Sequence, residues 1–206
     1  MNVGSELAIY LRLGLHHILD LGAIDHLLYL TIMAIPFVWQ DWRRVVVLVT
    51  GFTLGHSLTL ALAALGLIRL SPPLVEVLIP VTILITAVLV VWRNRRAGTG
   101  VTPVHFGVTS YILPAGFGLI HGLGFASYLR SLLGIEESIL WPLLWFNLGL
   151  EAAQLLIVAA VLSTTSLVTG RVLDRRVWQL AVGSVTIAWS ARMIGERLVS
   201  ALKPVP

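Results

Sequence analysis

The stretch Val45-Val-Val-Leu-Val-Thr-Gly-Phe-Thr-Leu-Gly-His56-Ser-Leu-Thr-Leu-Ala-Leu-Ala-Ala-Leu-Gly-Leu67 decides the fold of this chain. An α-helix needs about 20 mostly apolar residues to cross about 30 Å of hydrocarbon, and this stretch is long enough. Its runs Val-Val-Val-Leu-Val and Ala-Leu-Ala-Ala-Leu do not alternate between apolar and polar residues, as the strands of a membrane barrel do. The stretch therefore predicts a transmembrane helix.

The whole chain has the composition of an integral membrane protein. Of its 206 residues, 57% are hydrophobic and 12% are charged, whereas soluble domains are about 45–50% apolar and about 25% charged. This excludes a soluble enzyme, a disordered tail and a fibrous repeat. We predict an all-α, polytopic membrane helix bundle of about six transmembrane helices, with an interfacial N-terminal helix as a further option. The single integral membrane domain 1–206 would contain the N-terminal segment 1–22 and spans near 23–39, 45–67, 74–92, 106–128, 139–163 and 178–201.

Arginine residues favour one orientation of this bundle. Eight follow spans one, three and five, namely Arg43, Arg44, Arg93, Arg95, Arg96, Arg171, Arg175 and Arg176, against five basic residues on the opposite side. Because basic loops stay in the cytoplasm, we predict a multi-pass protein of a bacterial-type inner (plasma) membrane with both termini and segment 1–22 extracytoplasmic. The net charge of +4 fits arginines that face anionic lipid headgroups, so we expect the lipid bilayer and no nucleic acid as a partner, with a homo-oligomer left open.

Ionisable side chains inside the predicted spans are the main indication of function, because such groups are costly at membrane depth. Asp25 and His26 lie in span one, His56 in span two, His121 in span four and Glu151 in span five. Two carboxylates would neutralise one divalent cation, and imidazoles would supply neutral nitrogen ligands. We therefore predict that these five residues form one intramembrane metal site.

The chain has no cysteine, so no thiolate is available as a ligand. Imidazole and carboxylate ligands suit nickel, cobalt, zinc or iron(II) better than copper(I), which prefers sulfur. The expected cofactor or cargo is accordingly a divalent ion of nickel, cobalt or zinc.

Other polar residues are predicted to assist this site. Three lie at its mouth and would capture the ion from outside: His16, His17 and Asp20. Three more would orient the ligands through hydrogen bonds: Ser57, Asn147 and Gln154. Two alternatives stay open. Each histidine can simply hydrogen-bond a neighbouring helix, and Asn147, Glu151 and Gln154, which lie on one face of span five, can serve helix packing alone.

Small residues in spans two and four predict that each of these spans can pack closely against a neighbouring helix. Gly51, Gly55 and Thr59 form a stripe on span two, and span four carries four glycines and a proline between residues 114 and 124. This pattern implies close packing or a bent helix, with His121 inside the bundle.

Four segments of the sequence resemble the HupE/UreJ family of hydrogenase- and urease-associated membrane proteins. They are Gly14-Leu-His-His17-Ile-Leu-Asp-Leu-Gly22-Ala-Ile-Asp25-His26, Phe52-Thr-Leu-Gly-His56-Ser57, Gly118-Leu-Ile-His121-Gly122-Leu-Gly124-Phe-Ala and Phe146-Asn147-Leu-Gly149-Leu-Glu151-Ala-Ala-Gln154. The resemblance implies a permease for nickel or cobalt that serves metalloenzymes such as hydrogenase or urease. The chain lacks a long histidine-rich tract that would gather metal.

Two functions remain open at this point. In a permease, the ligands would bind the ion only transiently, because an ion must leave as well as enter. In the alternative, an intramembrane zinc-dependent hydrolase, the same ligands would hold zinc permanently, and the ion would activate a water for attack on a lipid or peptide bond. Asp25 or Glu151 would then serve as the general base. A purely structural role for the polar residues is the third option.

Overall fold

The computed structural model describes residues 3–20, 22, 24–96, 108–133 and 139–202. These residues form seven α-helices and no β-strand, so the prediction of an all-α bundle is confirmed. The helices are α1 (Val3–Leu19), α2 (Ile24–Ala34), α3 (Trp42–Ala64), α4 (Pro72–Arg96), α5 (Val108–Leu133), α6 (Leu140–Arg171) and α7 (Arg175–Leu202). The start of the predicted span 106–128 lies outside the described residues.

The first predicted span, 23–39, is the one that differs most from the helix found there. Helix α2 has 11 residues and ends at Ala34, because the residue before Pro36 is disfavoured in a helical conformation. Helix α1 precedes it and is bent against it by 71°, and the two together are long and apolar enough to cross a membrane. The predicted spans two to six each coincide with one helix, α3 to α7 in order.

Three of the described helices are each long and apolar enough to cross a membrane alone. Counting the bent pair of α1 and α2 as one further span raises this number to four. The three are α3 with the turn before it, α4 and α6, within Trp39–Ala64, Pro72–Arg96 and Leu140–Thr169. In α5 the apolar stretch Tyr111–Ala126 is shorter, and α7 carries charges such as Arg192 and Glu196 in its second half. The expected number of six therefore depends on counting α5 and α7 as spans.

Helices α3 and α5 cross with their backbones in contact. A Cβ atom added at Gly55 would lie 2.0 Å from the Ala115 carbonyl oxygen, and one at Gly118 would lie 2.1 Å from the Phe52 carbonyl oxygen. Only glycine fits at such positions, as at other close crossings of membrane helices. The predicted close packing is confirmed, and it brings the histidine of α3 beside that of α5.

Helices α1 and α6 form a second close crossing. A Cβ atom at Gly14 would lie 2.0 Å from the Phe146 carbonyl oxygen, and one at Gly149 would lie 2.0 Å from the Leu11 carbonyl oxygen. The two glycines are therefore reciprocal, each admitting the backbone of the other helix. This crossing fixes the end of α1, and with it His17, against the bundle.

Helix α2 lies in the centre of the bundle and contacts α4, α6 and α7. Its side chains Tyr29, Leu30 and Ile32 are buried. The outer faces of α3, α5 and α6 instead expose large apolar side chains, including Leu54, Ile112 and Leu156. An apolar surface of this kind fits contact with the lipid bilayer, since polar solvent would disfavour it.

Candidate metal centre

Four histidine rings from four different helices meet inside the bundle, and we call them the histidine cluster. They are His17 of α1, His26 of α2, His56 of α3 and His121 of α5. The ring centroids of His17 and His26 are 4.9 Å apart, and each is 6.0 Å from the ring of His56. The ring of His121 lies 5.2 Å from that of His26. The chain thus brings together side chains up to about a hundred positions apart in the sequence.

Three of these histidines are close enough to share an ion. One ring nitrogen from each of His17, His26 and His56 lies within 4.8 Å of the others. Nitrogen atoms bound to one ion at about 2.0–2.1 Å are separated by about 3.3 Å in a tetrahedral arrangement, so small rotations of the rings would complete the site. The ring of His121 adjoins this group beside that of His26, but His121 is not among the three residues whose ligand atoms come within 4.8 Å of one another.

The cluster is buried, and its nitrogen atoms are left without partners. His26, His56 and His121 are at most 3% exposed. Both ring nitrogens of His56, Nε2 of His17, Nε2 of His26 and Nδ1 of His121 have no hydrogen-bond partner among the described residues. A buried polar atom without a partner costs about 1–3 kcal/mol, so several in one place indicate that something else binds them. Neutral imidazole nitrogen is a good ligand for nickel, cobalt and zinc.

Asp25 contacts the cluster through His26. Its Oδ1 accepts a hydrogen bond from Nδ1 of His26 at 3.0 Å and another from the His26 backbone N–H at 2.8 Å. Because Nδ1 donates this bond, the hydrogen of the neutral ring is on Nδ1 and Nε2 keeps its lone pair. Such a carboxylate behind a histidine commonly orients the ring towards a metal ion. The negative charge of Asp25 also partly compensates that of a divalent cation.

Aromatic side chains enclose the histidine cluster. The ring of Phe125 lies 4.1 Å from that of His17, and the ring of Phe52 lies 5.1 Å from that of His121. Tyr29 contacts His121 at 5.3 Å. The site is thus largely shielded by apolar rings, and sequence reasoning did not identify them because aromatic residues in a span usually indicate only packing.

Thr82 of α4 is a further polar contact that the sequence analysis missed. Its Oγ1 lies 3.0 Å from Nε2 of His121, and the residue is buried. A single threonine in an apolar helix gives no sequence signal, because such hydroxyls ordinarily bond a carbonyl of their own helix.

Glu151 lies in a separate polar group, the Glu151 cluster, which consists of Thr50, Thr53, Glu151 and Gln154. Thr50 Oγ1 donates to Glu151 Oε1 at 2.6 Å, and Thr53 Oγ1 donates to Glu151 Oε2. Gln154 is fully buried with its Oε1 2.9 Å from Thr53 Oγ1. Both carboxylate oxygens thus have partners on α3, and Glu151 is not in the group whose ligand atoms come within reach of one ion among the described residues.

The remaining predicted residues take different positions. His16 is exposed while His17, its neighbour, reaches the cluster, because successive residues of a helix point about 100° apart. Asp20 is exposed and its Oδ1 accepts from the Gly22 backbone N–H at 2.9 Å. Ser57 donates to the Thr53 carbonyl oxygen of its own helix at 2.7 Å. Asn147 is half-buried, and its Oδ1 has no partner within the described part of the chain.

Comparison with known proteins adds one match. A family model described as "HupE / UreJ protein" matches residues 1–194 of the chain. No curated protein and no solved structure matches it. The matched range contains both the histidine cluster and the Glu151 cluster.

Proposed function

The chain belongs to the HupE/UreJ family, which is associated with nickel and cobalt transport or accessory function, and on this premise we propose that it is a permease for divalent nickel or cobalt. The observation that carries the proposal is the histidine cluster, in which buried imidazole nitrogens that have no hydrogen-bond partner among the described residues converge inside a membrane bundle. The ion is then the cargo of the site.

We propose that His17, His26, His56 and His121 bind the ion and that Asp25 orients His26. Neutral imidazoles can replace the water ligands of the ion without adding buried charge. A site with a single nearby carboxylate would leave part of the ion's charge uncompensated, which favours release over permanent retention. The ligands come from α1, α2, α3 and α5, so a shift of any one of these helices would change the number of nitrogens on the ion.

Glu151, unlike the residues of the histidine cluster, is not proposed as a ligand of the ion. To bind the ion, its carboxylate would first have to lose the hydroxyl groups of Thr50 and Thr53. We therefore propose a ligand set without Glu151, in which the Glu151 cluster holds α6 against α3. His16 and Asp20 are exposed near the end of α1, where they could collect the ion from solution.

Flux of the metal ion through the reconstituted full-length chain tests the proposal. We expect saturable entry of Ni²⁺ or Co²⁺ into proteoliposomes that contain a metal-sensitive dye, and no entry of Mg²⁺, which prefers oxygen ligands. His17→Ala should abolish the flux because it removes a ligand. His16→Ala, the matched variant at the neighbouring exposed position, should raise the half-saturating concentration several-fold.

Two results would contradict the permease proposal. Wild-type vesicles could admit Ni²⁺ and Co²⁺ no faster than protein-free vesicles, or the His17→Ala vesicles could admit them as fast as wild type. In the second case the ions would cross the bilayer by a route that avoids the histidine cluster.

An intramembrane zinc hydrolase is the second candidate, and one observation favours it. Three imidazoles within reach of one ion, with a carboxylate bonded to one of them, form a donor set that also suits catalytic zinc. Elemental analysis of the purified protein separates the two candidates. Zinc at about one ion per chain that survives dialysis would favour the hydrolase, whereas weak, exchangeable nickel or cobalt would favour the permease.

A further inference from the structure

The hydroxyl group of Thr82 makes two short contacts that together fix the position of a hydrogen on His121. Its Oγ1 lies 2.7 Å from the Ile79 carbonyl oxygen of its own helix and 3.0 Å from Nε2 of His121. Both contacts are within hydrogen-bond distance, and both are buried. A threonine hydroxyl carries one hydrogen, so it can donate only one of these two bonds.

Only one assignment satisfies both contacts. A carbonyl oxygen cannot donate, so the hydrogen between Thr82 and Ile79 must be that of the Thr82 hydroxyl. The hydrogen between Thr82 and His121 must then come from Nε2 of the histidine. In the opposite assignment, the hydroxyl would donate to His121 and two acceptor oxygens would face each other at 2.7 Å with no hydrogen between them.

This assignment determines which nitrogen of His121 is free. A neutral imidazole carries one hydrogen, so a ring with hydrogen on Nε2 has a lone pair on Nδ1. Nδ1 of His121 is buried, with no hydrogen-bond partner among the residues that the structure describes. The situation mirrors that of His26, where Asp25 holds the hydrogen on Nδ1 and leaves Nε2 free.

We propose that Thr82 is a positioning residue of the metal site, which holds His121 in the tautomer that binds the ion through Nδ1. The inference rests on the proposed function for the identity of the ligand, but the tautomer itself follows from the hydrogen bonds alone. Two partners on different helices, Asp25 and Thr82, thus present opposite ring nitrogens of two histidines to one ion. Without such partners each ring could place its hydrogen on the nitrogen that the ion needs.

The tautomer of His121 can be measured without any metal. In the full-length, metal-free protein labelled with ¹⁵N-histidine, the nitrogen chemical shifts distinguish a protonated from a bare ring nitrogen, and His121→Asn identifies the signals. We expect hydrogen on Nε2 of His121 in the wild type. Thr82→Val replaces the hydroxyl by a methyl group of similar size and should shift hydrogen towards Nδ1, whereas Thr82→Ser should restore the wild-type spectrum.

Binding of Co²⁺, followed by its visible absorption in the same detergent, gives the functional consequence. We expect Thr82→Val to weaken binding by about 10–100-fold, as is typical when the partner of a metal-binding histidine is removed, and Thr82→Ser to restore it. Thr86→Val is the matched control. It removes a hydroxyl one turn further along α4 that donates to the Thr82 carbonyl oxygen at 2.8 Å, and it should leave Co²⁺ binding unchanged.

The outcomes separate this inference from the proposed function. Hydrogen on Nδ1 of His121 in the wild type would overturn the inference even if Thr82→Val failed to fold. Unchanged Co²⁺ affinity in a folded Thr82→Val variant would also overturn it. If the wild type bound no Co²⁺ at all, the metal site itself would be contradicted, and Thr82 would have no role in positioning a ligand.

Discussion

The histidine cluster and the Glu151 cluster are both built on α3, one turn apart, yet they differ in how their polar atoms are satisfied. At His56 both ring nitrogens are buried without a partner among the described residues. At Glu151, both carboxylate oxygens accept hydrogen bonds from α3, from the hydroxyls of Thr50 and Thr53. Ionisable groups at membrane depth are thus not equivalent, and those with open hydrogen-bonding capacity are the better candidates for a binding site.

The two clusters also differ in chemistry and in the helices that form them. The histidine cluster gathers imidazole nitrogens from four helices, α1, α2, α3 and α5. The Glu151 cluster joins only α3 and α6, through oxygen atoms. A borderline metal ion prefers the first set of ligands. The second set has the character of an interhelical hydrogen-bond network, which in membranes stabilises helix pairs by about 0.6 kcal/mol per bond.

The largest effect should come from removing the least satisfied residue of the histidine cluster. We expect His56→Leu to weaken Co²⁺ binding by more than about 100-fold, since loss of a ligand exceeds loss of an orienting partner. The same substitution removes two buried nitrogens that have no partner in the described part of the chain, and it should therefore keep or raise the thermal unfolding midpoint.

Titration with Co²⁺ and a thermal melt of the metal-free protein, both in one detergent, measure the two effects of His56→Leu. Thr53→Val is the comparison on the same helix, since it breaks the Glu151 cluster and should lower the unfolding midpoint instead. If the His56→Leu protein binds Co²⁺ with wild-type affinity, the histidine cluster does not differ from the Glu151 cluster in metal binding.

Several features of the fold and of the histidine cluster can be predicted from the sequence. Apolar composition and segment length predict the helical membrane bundle. The cost of burying ionisable groups singles out His26, His56 and His121, whose rings the structure brings into the histidine cluster. Glycine spacing predicts close packing at spans two and four, and the structure shows that Gly55 and Gly118 admit the backbones of α5 and α3. These features depend on local composition or on one helix at a time.

The rest depends on how helices face each other, which no single segment encodes. Depth along a span does not reveal that Glu151 meets Thr50 and Thr53 and not the histidines. His17 lies in the histidine cluster, because the crossing of α1 with α6 holds the end of α1 against the bundle, whereas the sequence placed it with His16 at the mouth. Thr82 contributes only through α5, so its role is invisible without the packing of α4 against that helix.

An intermediate effect is expected at Asp25, which supports the histidine cluster without being one of its imidazoles. Asp25→Asn keeps an oxygen acceptor for Nδ1 of His26 but removes the negative charge, so we expect Co²⁺ binding to weaken by about 10–100-fold. Asp41→Asn is the matched control, because that carboxylate pairs with Arg44 at 3.2 Å, partly exposed outside the site.

Competition between each variant and a calibrated chelator for Co²⁺ gives the Co²⁺ affinities of Asp25→Asn and Asp41→Asn. The role assigned to Asp25 is supported if the Co²⁺ affinity of Asp25→Asn lies between those of His56→Leu and the wild type. Equal affinity of Asp25→Asn and Asp41→Asn would mean that the carboxylate does not act on His26, and the role assigned to Asp25 would then be wrong.

The smallest effect on metal binding should come from Glu151. Glu151→Gln retains an oxygen that can accept from Thr50 and an amide that can donate to Thr53, so both contacts with α3 can persist in altered form. We expect Co²⁺ affinity within about threefold of the wild type and a loss of unfolding free energy of at most about 1 kcal/mol. The chelator competition and the thermal melt measure these values. If Glu151→Gln instead loses Co²⁺ binding as strongly as His56→Leu, then the carboxylate is a ligand as its depth in the sequence suggested. The two clusters would then be parts of one site, and the bonds from Thr50 and Thr53 would belong to a state without the ion.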